Sequence, residues 1–225
     1  MDMRSFVLCL SSAILALSSF VFGRKFIRKR NYLLGAEMWV VGVSASNAVI
    51  FFSTGSSVSW RIAEFFDAFS RGFGMPVIAV AGLMVITHGY KPSIKQDVLF
   101  FLLATVATFV LMDADFIQSI KPYFFVIGWT VLSIFLLYFI KRLWSVGAIF
   151  NVLMVFLALI SSELIACIYD FYKIPGEDTN VVLNFYVLAL NTWAFFMPAI
   201  YYAYCALERK ENEGVLLSRP VAYRN

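Results

Sequence analysis

Long runs of apolar residues, separated by short polar turns, make up most of the chain. A helix needs about 20 mostly apolar residues to cross a bilayer core roughly 30 Å thick. Because the runs are continuous rather than alternating, they favour helices over membrane β-strands. Seven runs meet or nearly meet the length, and they predict transmembrane helices at residues 4–23, 32–53, 66–88, 97–115, 122–140, 145–170 and 181–207. The pattern predicts an all-α, polytopic integral membrane protein, with one seven-helix domain over residues 1–208 and a short tail over residues 209–225.

Lysine and arginine are distributed unevenly between the two sides of these predicted helices. One side holds Arg24, Lys25, Arg28, Lys29, Arg30, Lys91, Lys95, Lys141, Arg142, Arg209, Lys210, Arg219 and Arg224. The other side holds Arg4, Arg61, Arg71, Lys121 and Lys173. Because the excess of basic residues marks the cytoplasmic side, the N-terminus is predicted outside and the tail in the cytoplasm, in the plasma (inner) membrane. This bias accounts for the net charge of +4, so the predicted partner is the lipid bilayer and not nucleic acid.

The composition limits the chemistry that the chain can carry. Hydrophobic residues make up 61% of it and charged residues 14%, which leaves no room for a soluble catalytic domain. The single histidine, His88, excludes bis-histidine haem ligation and histidine-based dimetal sites. No P-loop, dinucleotide fingerprint or GxSxG motif occurs. No metal or cofactor is therefore predicted, and an enzyme is the less favoured interpretation.

Two segments resemble each other in a way that suggests an internal repeat. Phe73-Gly74-Met75-Pro76-Val77-Ile78 in the third predicted span matches Phe195-Phe196-Met197-Pro198-Ala199-Ile200 in the seventh, at an offset of 122 residues. Two weaker matches at slightly smaller offsets pair Arg24-Lys25 with Lys141-Arg142, and Ser46-Asn47 with Ser162-Glu163. We predict a 3+1+3 plan, with parallel repeats over residues 4–90 and 122–208 and a connector helix over residues 97–115. Chance is the alternative, because short apolar words recur easily in so hydrophobic a chain.

The 3+1+3 plan with an outer N-terminus resembles in layout the sugar-exporting and PQ-loop transporters and the heptahelical rhodopsins. The resemblance is one of layout alone. No Pro-Gln dipeptide occurs in the chain, and the seventh predicted span holds no lysine that could form a retinal Schiff base. The resemblance therefore assigns no family.

Charged residues near the start of the third predicted span are the first candidates for a functional site. A charged side chain within a span usually faces the bundle interior or a water-filled cavity. Helical spacing places Arg61, Glu64, Asp67 and Arg71 within one arc of about 120°, with ion pairs expected for Arg61–Glu64 and Asp67–Arg71. In one interpretation, Glu64, Asp67 and Arg71 line an outward vestibule and bind a substrate. The alternative is an interfacial turn with solvated charges.

Three polar residues inside other spans extend this predicted substrate-binding site. Glu163 lies well inside the sixth span, where a carboxyl group would either hold a proton or pair with a cation such as Arg71. On this hypothesis Glu163→Gln abolishes or decouples transport. Asn47 and Asn191 are predicted to complete the polar lining. For all three, a hydrogen bond that only holds helices together is the alternative.

Other positions have simpler predicted roles. Pro76 and Pro198 are predicted hinges, because a proline inside a span frees backbone carbonyl groups and kinks the helix. Glu37 is expected to form an ion pair with the basic turn near it. Asp170 is expected to be a solvated cap at the end of the sixth span, and Tyr169 an aromatic anchor at the membrane interface.

Three classes of function remain open for this sequence. The favoured one is a heptahelical permease that moves a small polar or anionic metabolite between the two three-helix units. The second is a non-catalytic subunit or sensor that acts through a membrane protein partner or a homo-oligomer, which copurification in mild detergent would reveal. The third is a lipid-modifying enzyme that uses Glu64, Asp67 or Asp113 as acid and base, which incubation with labelled lipids would reveal.

Overall fold

The computed structural model describes residues 2–172 and 184–218, with side chains described as far as Glu213. Within these ranges the chain is helical, without strands. The long helices are α1 (Met3–Arg28), α2 (Tyr32–Thr54), α3 (Ser57–Thr87), α4 (Ile94–Asp113), α5 (Lys121–Ser145), α6 (Ile149–Tyr169) and α7 (Phe185–Ser218). A single helical turn, Asp115–Gln118, lies between α4 and α5. The predicted roles of Lys173, Arg219 and Arg224, and the predicted helix start at residues 181–183, lie outside the described residues.

Six of these helices, α1 to α6, are long and apolar enough to cross a membrane. The predicted all-α class with membrane-type helices is therefore confirmed. Helix α7 is 34 residues long, but its described residues are not apolar enough for it to count among the six. Its middle carries polar residues such as Asn191, Thr192 and Tyr201, which lower its hydropathy.

Side chains that accept hydrogen bonds from the first helical turn fix where several helices begin. Ser56 accepts from the backbone N–H of Ser59 and caps α3, while Gly55, at a φ of 74°, ends α2. A hydroxyl group in this position satisfies one of the N–H groups that the first turn leaves unpaired. Helix α3 therefore begins at Ser57, nine residues before the predicted start at residue 66, because the cap outweighs the polar composition of its first turns.

The middle of α3 is a π-helix over Ser70–Ala79, between α-helical parts at Ser57–Phe69 and Val80–Thr87. Pro76 lies inside it. Proline has no N–H group, and its ring collides with the carbonyl group one α-helical turn earlier. Widening the helix to i→i+5 spacing relieves this collision, and wide turns of this kind often occur at functional sites.

Six of the long helices form a closed ring in the order α1, α2, α3, α5, α6, α7 and back to α1. Helix α4 lies outside the ring and packs mainly against α3. Only 22% of its most hydrophobic window is buried, against 67% for α3. Helix α3 is thus the most enclosed of the six apolar helices, and α4 is peripheral.

The main hydrophobic core extends from the cavity lining into the half of the ring where α1 and α3 end. Its largest fully buried side chains include Phe26 of α1, Leu83 of α3, Phe139 of α5 and Ile200 of α7. The Val80–Thr87 part of α3 contacts α7 in this half. The ring is therefore closed by apolar packing at this end.

An ion pair joins the end of α1 to α7. The ammonium group of Lys29, which follows the last residue of α1, contacts the carboxylate of Glu208. Burial alone would lower the pKa of Lys29, but the hydrogen bond and charge of Glu208 raise it above its usual value. The contact closes the ring between its first and last helices.

Helices α1 and α2 approach each other closely at two glycines, and this packing should tolerate no added methyl group. A Cβ atom on Gly35 would lie 2.5 Å from Ile27 Cγ1 and 3.0 Å from the carbonyl oxygen of Gly23. Overpacking of this kind typically costs 1–3 kcal/mol, and the better helix propensity of alanine offsets up to about 1 kcal/mol. We expect Gly35→Ala to lower the free energy of unfolding in detergent by about 1–2 kcal/mol.

Gly72→Ala is the comparison for this variant. A Cβ atom on Gly72 would lie 3.2 Å from the end of the flexible Leu111 side chain. The loss of unfolding free energy should therefore be smaller than for Gly35→Ala. Equal stability of Gly35→Ala and the wild type in thermal unfolding would contradict the close approach.

Candidate functional site

A cavity of about 250 Å³ lies between the ring helices at the end opposite the main core. Its mouth is formed near the ends of α2 and α6 and the starts of α3, α5 and α7, by Phe52, Trp60, Lys121, Asp170 and Tyr186. Its deepest lining residues include Leu15, Val41, Met75 and Met197. Met197 lies about 18 Å along α7 from Phe185, at 1.5 Å per residue. The cavity therefore extends about halfway along helices long enough to cross a bilayer.

Arg71, in the first turn of the π-helix, is the central charged group of this cavity. Its side chain is only 6% exposed. Its guanidinium group contacts the carboxylate of Asp170 and lies 3.6 Å, Nη1 to Oδ2, from Asp67. Its Cζ atom lies 4.1 Å from the ring centroid of Phe125 and 3.8 Å from that of Tyr169. Two carboxylates and two aromatic faces thus compensate one buried cation.

The carboxylates around Arg71 belong to different helices, so the cluster joins separate parts of the ring. Asp67 is one helical turn earlier on α3, and its i,i+4 ion pair with Arg71 was the predicted one. The hydroxyl group of Tyr169, at the end of α6, lies 3.5 Å from Asp67 Oδ2. Asp170 follows α6 directly. The predicted pair between Arg61 and Glu64 does not occur among the described ion pairs.

The charged residues that line the cavity do not balance. Three are acidic and two are basic: Glu64, Asp67, Asp170, Arg71 and Lys121. With all of them ionised, their sum is −1. Arg71 already contacts two of the three carboxylates, so its charge is neutralised by the protein. The cavity therefore offers no unpaired guanidinium group to an anion.

Every lining residue of α7 has a counterpart in the cavity wall formed by α3. Five residues of α7 line the cavity, and each has a lining residue of α3 located 122 positions earlier. The pairs are Glu64 with Tyr186, Asp67 with Ala189, Ala68 with Leu190, Arg71 with Trp193, and Met75 with Met197. This offset is the one that aligns the two Met-Pro sequences. The two helices therefore present the same face at matching positions, and the first carries the charges.

The structure brings three of the predicted binding residues together at the cavity: Glu64, Asp67 and Arg71. The other three do not line it: Asn47, Glu163 and Asn191. The carboxylate of Glu163 accepts hydrogen bonds from Thr130 Oγ1, at 2.8 Å, and Ser133 Oγ, at 2.7 Å, on α5. The expected convergence of Glu163 with Arg71 is therefore not found.

The two predicted binding asparagines make backbone and interhelical hydrogen bonds outside the cavity lining. Asn47 donates to the carbonyl oxygen of Val43 on its own helix, at 2.9 Å. Asn191 donates to Ser11 Oγ of α1, at 3.0 Å, and to the carbonyl oxygen of Val187, at 2.7 Å. Both amide groups thus donate to partners within the helical bundle.

The two predicted hinge prolines both follow a methionine that lines the cavity. Pro76 lies in the π-helix directly after Met75, and Pro198 lies inside α7 directly after Met197. Pro76 packs closely on α5, since a Cβ atom on Gly128 would lie 3.3 Å from its Cγ. Helix α3 therefore departs from α-helical geometry around its proline, whereas α7 remains an α-helix through Pro198.

Three residues have roles that differ from those predicted. Asp170 is not a solvated cap, because it pairs with Arg71. Tyr169 stacks on the same guanidinium group and lines the cavity. Glu37 forms no ion pair within the described part of the chain, and it is only 1% exposed. The sequence did hold one indication of the role of Asp170. The partly exposed carboxylate of Asp67 compensates the charge of Arg71 only in part, so a second carboxylate from another helix was to be expected.

Removing Arg71 should destabilise the protein, because it leaves two carboxylates facing each other without their cation. Loss of one partner of a buried pair costs about 3–5 kcal/mol, and partial exposure of Asp67 and Asp170 reduces this. We expect Arg71→Met to lower the free energy of unfolding by about 2–3 kcal/mol. Arg61→Met is the control, because Arg61 is exposed and outside the cavity; it should change stability by less than about 0.5 kcal/mol. Equal effects of both variants in thermal unfolding would count against the cluster.

No protein-family model, characterised protein or solved structure matches this chain.

Proposed function

We propose that the chain is a small permease of the plasma (inner) membrane, which moves a small polar metabolite through the cavity between two three-helix units. In this proposal α7 is the seventh crossing, α1 to α3 and α5 to α7 are the repeats, and α4 is the connector. The observation that carries it is the correspondence of the five lining pairs of α3 and α7 at an offset of 122 residues. A site between two parallel repeats is a known transporter plan.

The order of helices around the ring supports the repeat. The contact of α1 with α2 corresponds to that of α5 with α6, and the contact of α2 with α3 to that of α6 with α7. The contact of α3 with α5 likewise corresponds to that of α7 with α1. Exchanging α1, α2 and α3 with α5, α6 and α7 therefore reproduces the ring. A connector is needed between the units, because three crossings reverse the direction of the chain, and α4 lies outside the ring as such a connector would.

The one-sided cavity supports a transport cycle. One half of the ring encloses the cavity, and the other half is filled by large buried side chains of the main hydrophobic core, such as Phe26, Leu83 and Phe139. The basic residues cluster at the core end, so the positive-inside rule makes the cavity mouth the outer face. The described arrangement then corresponds to an outward-facing state. Rearrangement of α3 about its π-helix would open the opposite end.

The charge of the cavity narrows the class of substrate. Arg71 is occupied by Asp67 and Asp170, and the lining charges sum to −1 when all are ionised. An organic anion would meet this negative excess, and Lys121 at the mouth is the one lining cation without an ion pair among the described residues. A neutral, zwitterionic or cationic metabolite is therefore favoured over the anionic one. Aromatic walls formed by Trp129, Trp193 and Tyr169 can pack on the apolar part of such a ligand or on a cation.

Intrinsic fluorescence provides a direct test of binding. Three of the five tryptophans, Trp60, Trp129 and Trp193, line the cavity, whereas Trp39 and Trp144 are exposed outside it. Purified protein is titrated with the zwitterions L-alanine and glycine betaine, the cation choline, the neutral sugar glucose and the anion succinate. Any compound that changes the fluorescence is then followed as a labelled solute into proteoliposomes. No response to any compound, or uptake equal to that of empty vesicles, would defeat the proposal.

Glu64 provides a test of the proposal that the negative charge of the cavity selects the substrate. It lines the cavity and makes no ion pair within the described residues. We expect Glu64→Gln to weaken binding of a zwitterionic or cationic ligand about tenfold, or about 1.4 kcal/mol, as the negative excess is lost. Asp115→Asn is the matched control, since Asp115 is an exposed carboxylate outside the cavity lining. Stronger binding of succinate by the wild type than of the other compounds would overturn the charge assignment.

A further inference from the structure

Glu37 is a buried carboxyl group that the proposed site does not use. It lies in the second turn of α2, one turn from Val41, which lines the cavity floor. The residue is 1% exposed, and neither carboxylate oxygen has a hydrogen-bond partner of ordinary geometry among the described residues. Glu37 therefore lies beneath the cavity, between its floor and the inner end of the bundle.

The π-helix of α3 provides the space that holds this carboxyl group. A Cβ atom on Gly74 would collide with both carboxyl oxygens of Glu37, so only glycine admits the side chain there. Gly74 lies two residues before Pro76, in the widened segment. Movement of this segment during a transport cycle would therefore change the surroundings of Glu37 directly.

One polar group links Glu37 to the cavity. The side chain of Ser70 in α3 is the polar group beside its carboxyl group, and Ser70 also lines the cavity. No charged side chain from α1 or α3 lies within ion-pair distance of Glu37 in the described part of the chain. An ionised carboxylate without a counter-ion is very costly in so dry a position. Binding of a proton would remove this cost, because the neutral carboxyl group carries no charge.

We propose that Glu37 is a proton-binding site that couples transport to the inward movement of a proton. The inference rests on the proposed permease function, and it names the coupling ion. In the outward-facing state, a proton from cavity water reaches the carboxylate past the Ser70 hydroxyl group and converts it to the neutral acid. Opening of α2 from α3 at the inner end would hydrate the acid, and the proton would pass to water on the cytoplasmic side.

The proton itself can be detected without a known substrate. Infrared spectra of the protein in lipid at pH 7 should contain the carbonyl band of a protonated carboxyl group. This band should be lost in Glu37→Gln, which keeps the shape of the side chain. It should remain, shifted, in Glu37→Asp. It should also remain in Glu163→Gln, the matched control, because the Glu163 carboxyl group is bound by Thr130 and Ser133 instead. An unchanged band in Glu37→Gln would overturn the inference.

Coupling is measured in vesicles that contain a pH-sensitive dye. Addition of whichever of L-alanine, glycine betaine, choline or glucose binds the wild type should acidify the lumen. In Glu37→Gln we expect proton influx to fall at least tenfold, while exchange of the labelled compound between the two sides continues. Acidification by Glu37→Gln at the wild-type rate would overturn the coupling role. Binding without any flux in the wild type would defeat the permease proposal and coupling with it, whereas the infrared band would still decide the proton site.

Discussion

The compensation of Arg71 is the constraint on which the cavity half of the bundle depends. A guanidinium group cannot lose its hydration at this depth unless other groups replace the water. Here the replacements come from three helices: Asp67 from α3 itself, Phe125 from α5, and Tyr169 and Asp170 from the end of α6. The requirement for compensation thus holds α3 against α5 and α6, across the cavity from α7. Charge and shape are fixed by the same contacts.

The π-helix of α3 brings together features that would otherwise be separate. Arg71 at its start belongs to the cavity, Gly74 receives the Glu37 side chain from α2, and Pro76 packs on α5. Beyond it, the Val80–Thr87 part of α3 belongs to the packed half of the ring. The π-helix therefore lies at the boundary between the half of the bundle that encloses the cavity and the packed half.

The sequence predicts well whatever depends on neighbours along the chain. Apolar runs indicate the membrane-type helices, and four-residue spacing indicates the Asp67–Arg71 pair. It predicts poorly what depends on contacts between distant helices. Asp170 lies 99 residues from Arg71, and nothing at its own position distinguishes an ion-paired carboxylate from a helix cap.

Glu163 illustrates the opposite error. A carboxyl group deep in a span looked functional, but two hydroxyl groups on α5 satisfy it. The depth of a polar residue in a span can be read from the chain, whereas the identity of its partner cannot, because that depends on how the helices rotate about their axes. The ion pair predicted for Glu37 was wrong for the same reason: its proximity to basic residues in the sequence suggested a partner that the described part of the fold does not supply.

The contact between Glu37 and Gly74 has a consequence for how these two positions can vary. The acid occupies the volume that a methyl group would take on the neighbouring helix, so the pair shares one space and is tied by steric complementarity. Any larger residue at 74 would expel the acid from its niche, and a smaller residue at 37 would leave a void facing the wide turn. A substitution at either position therefore changes the packing at the other.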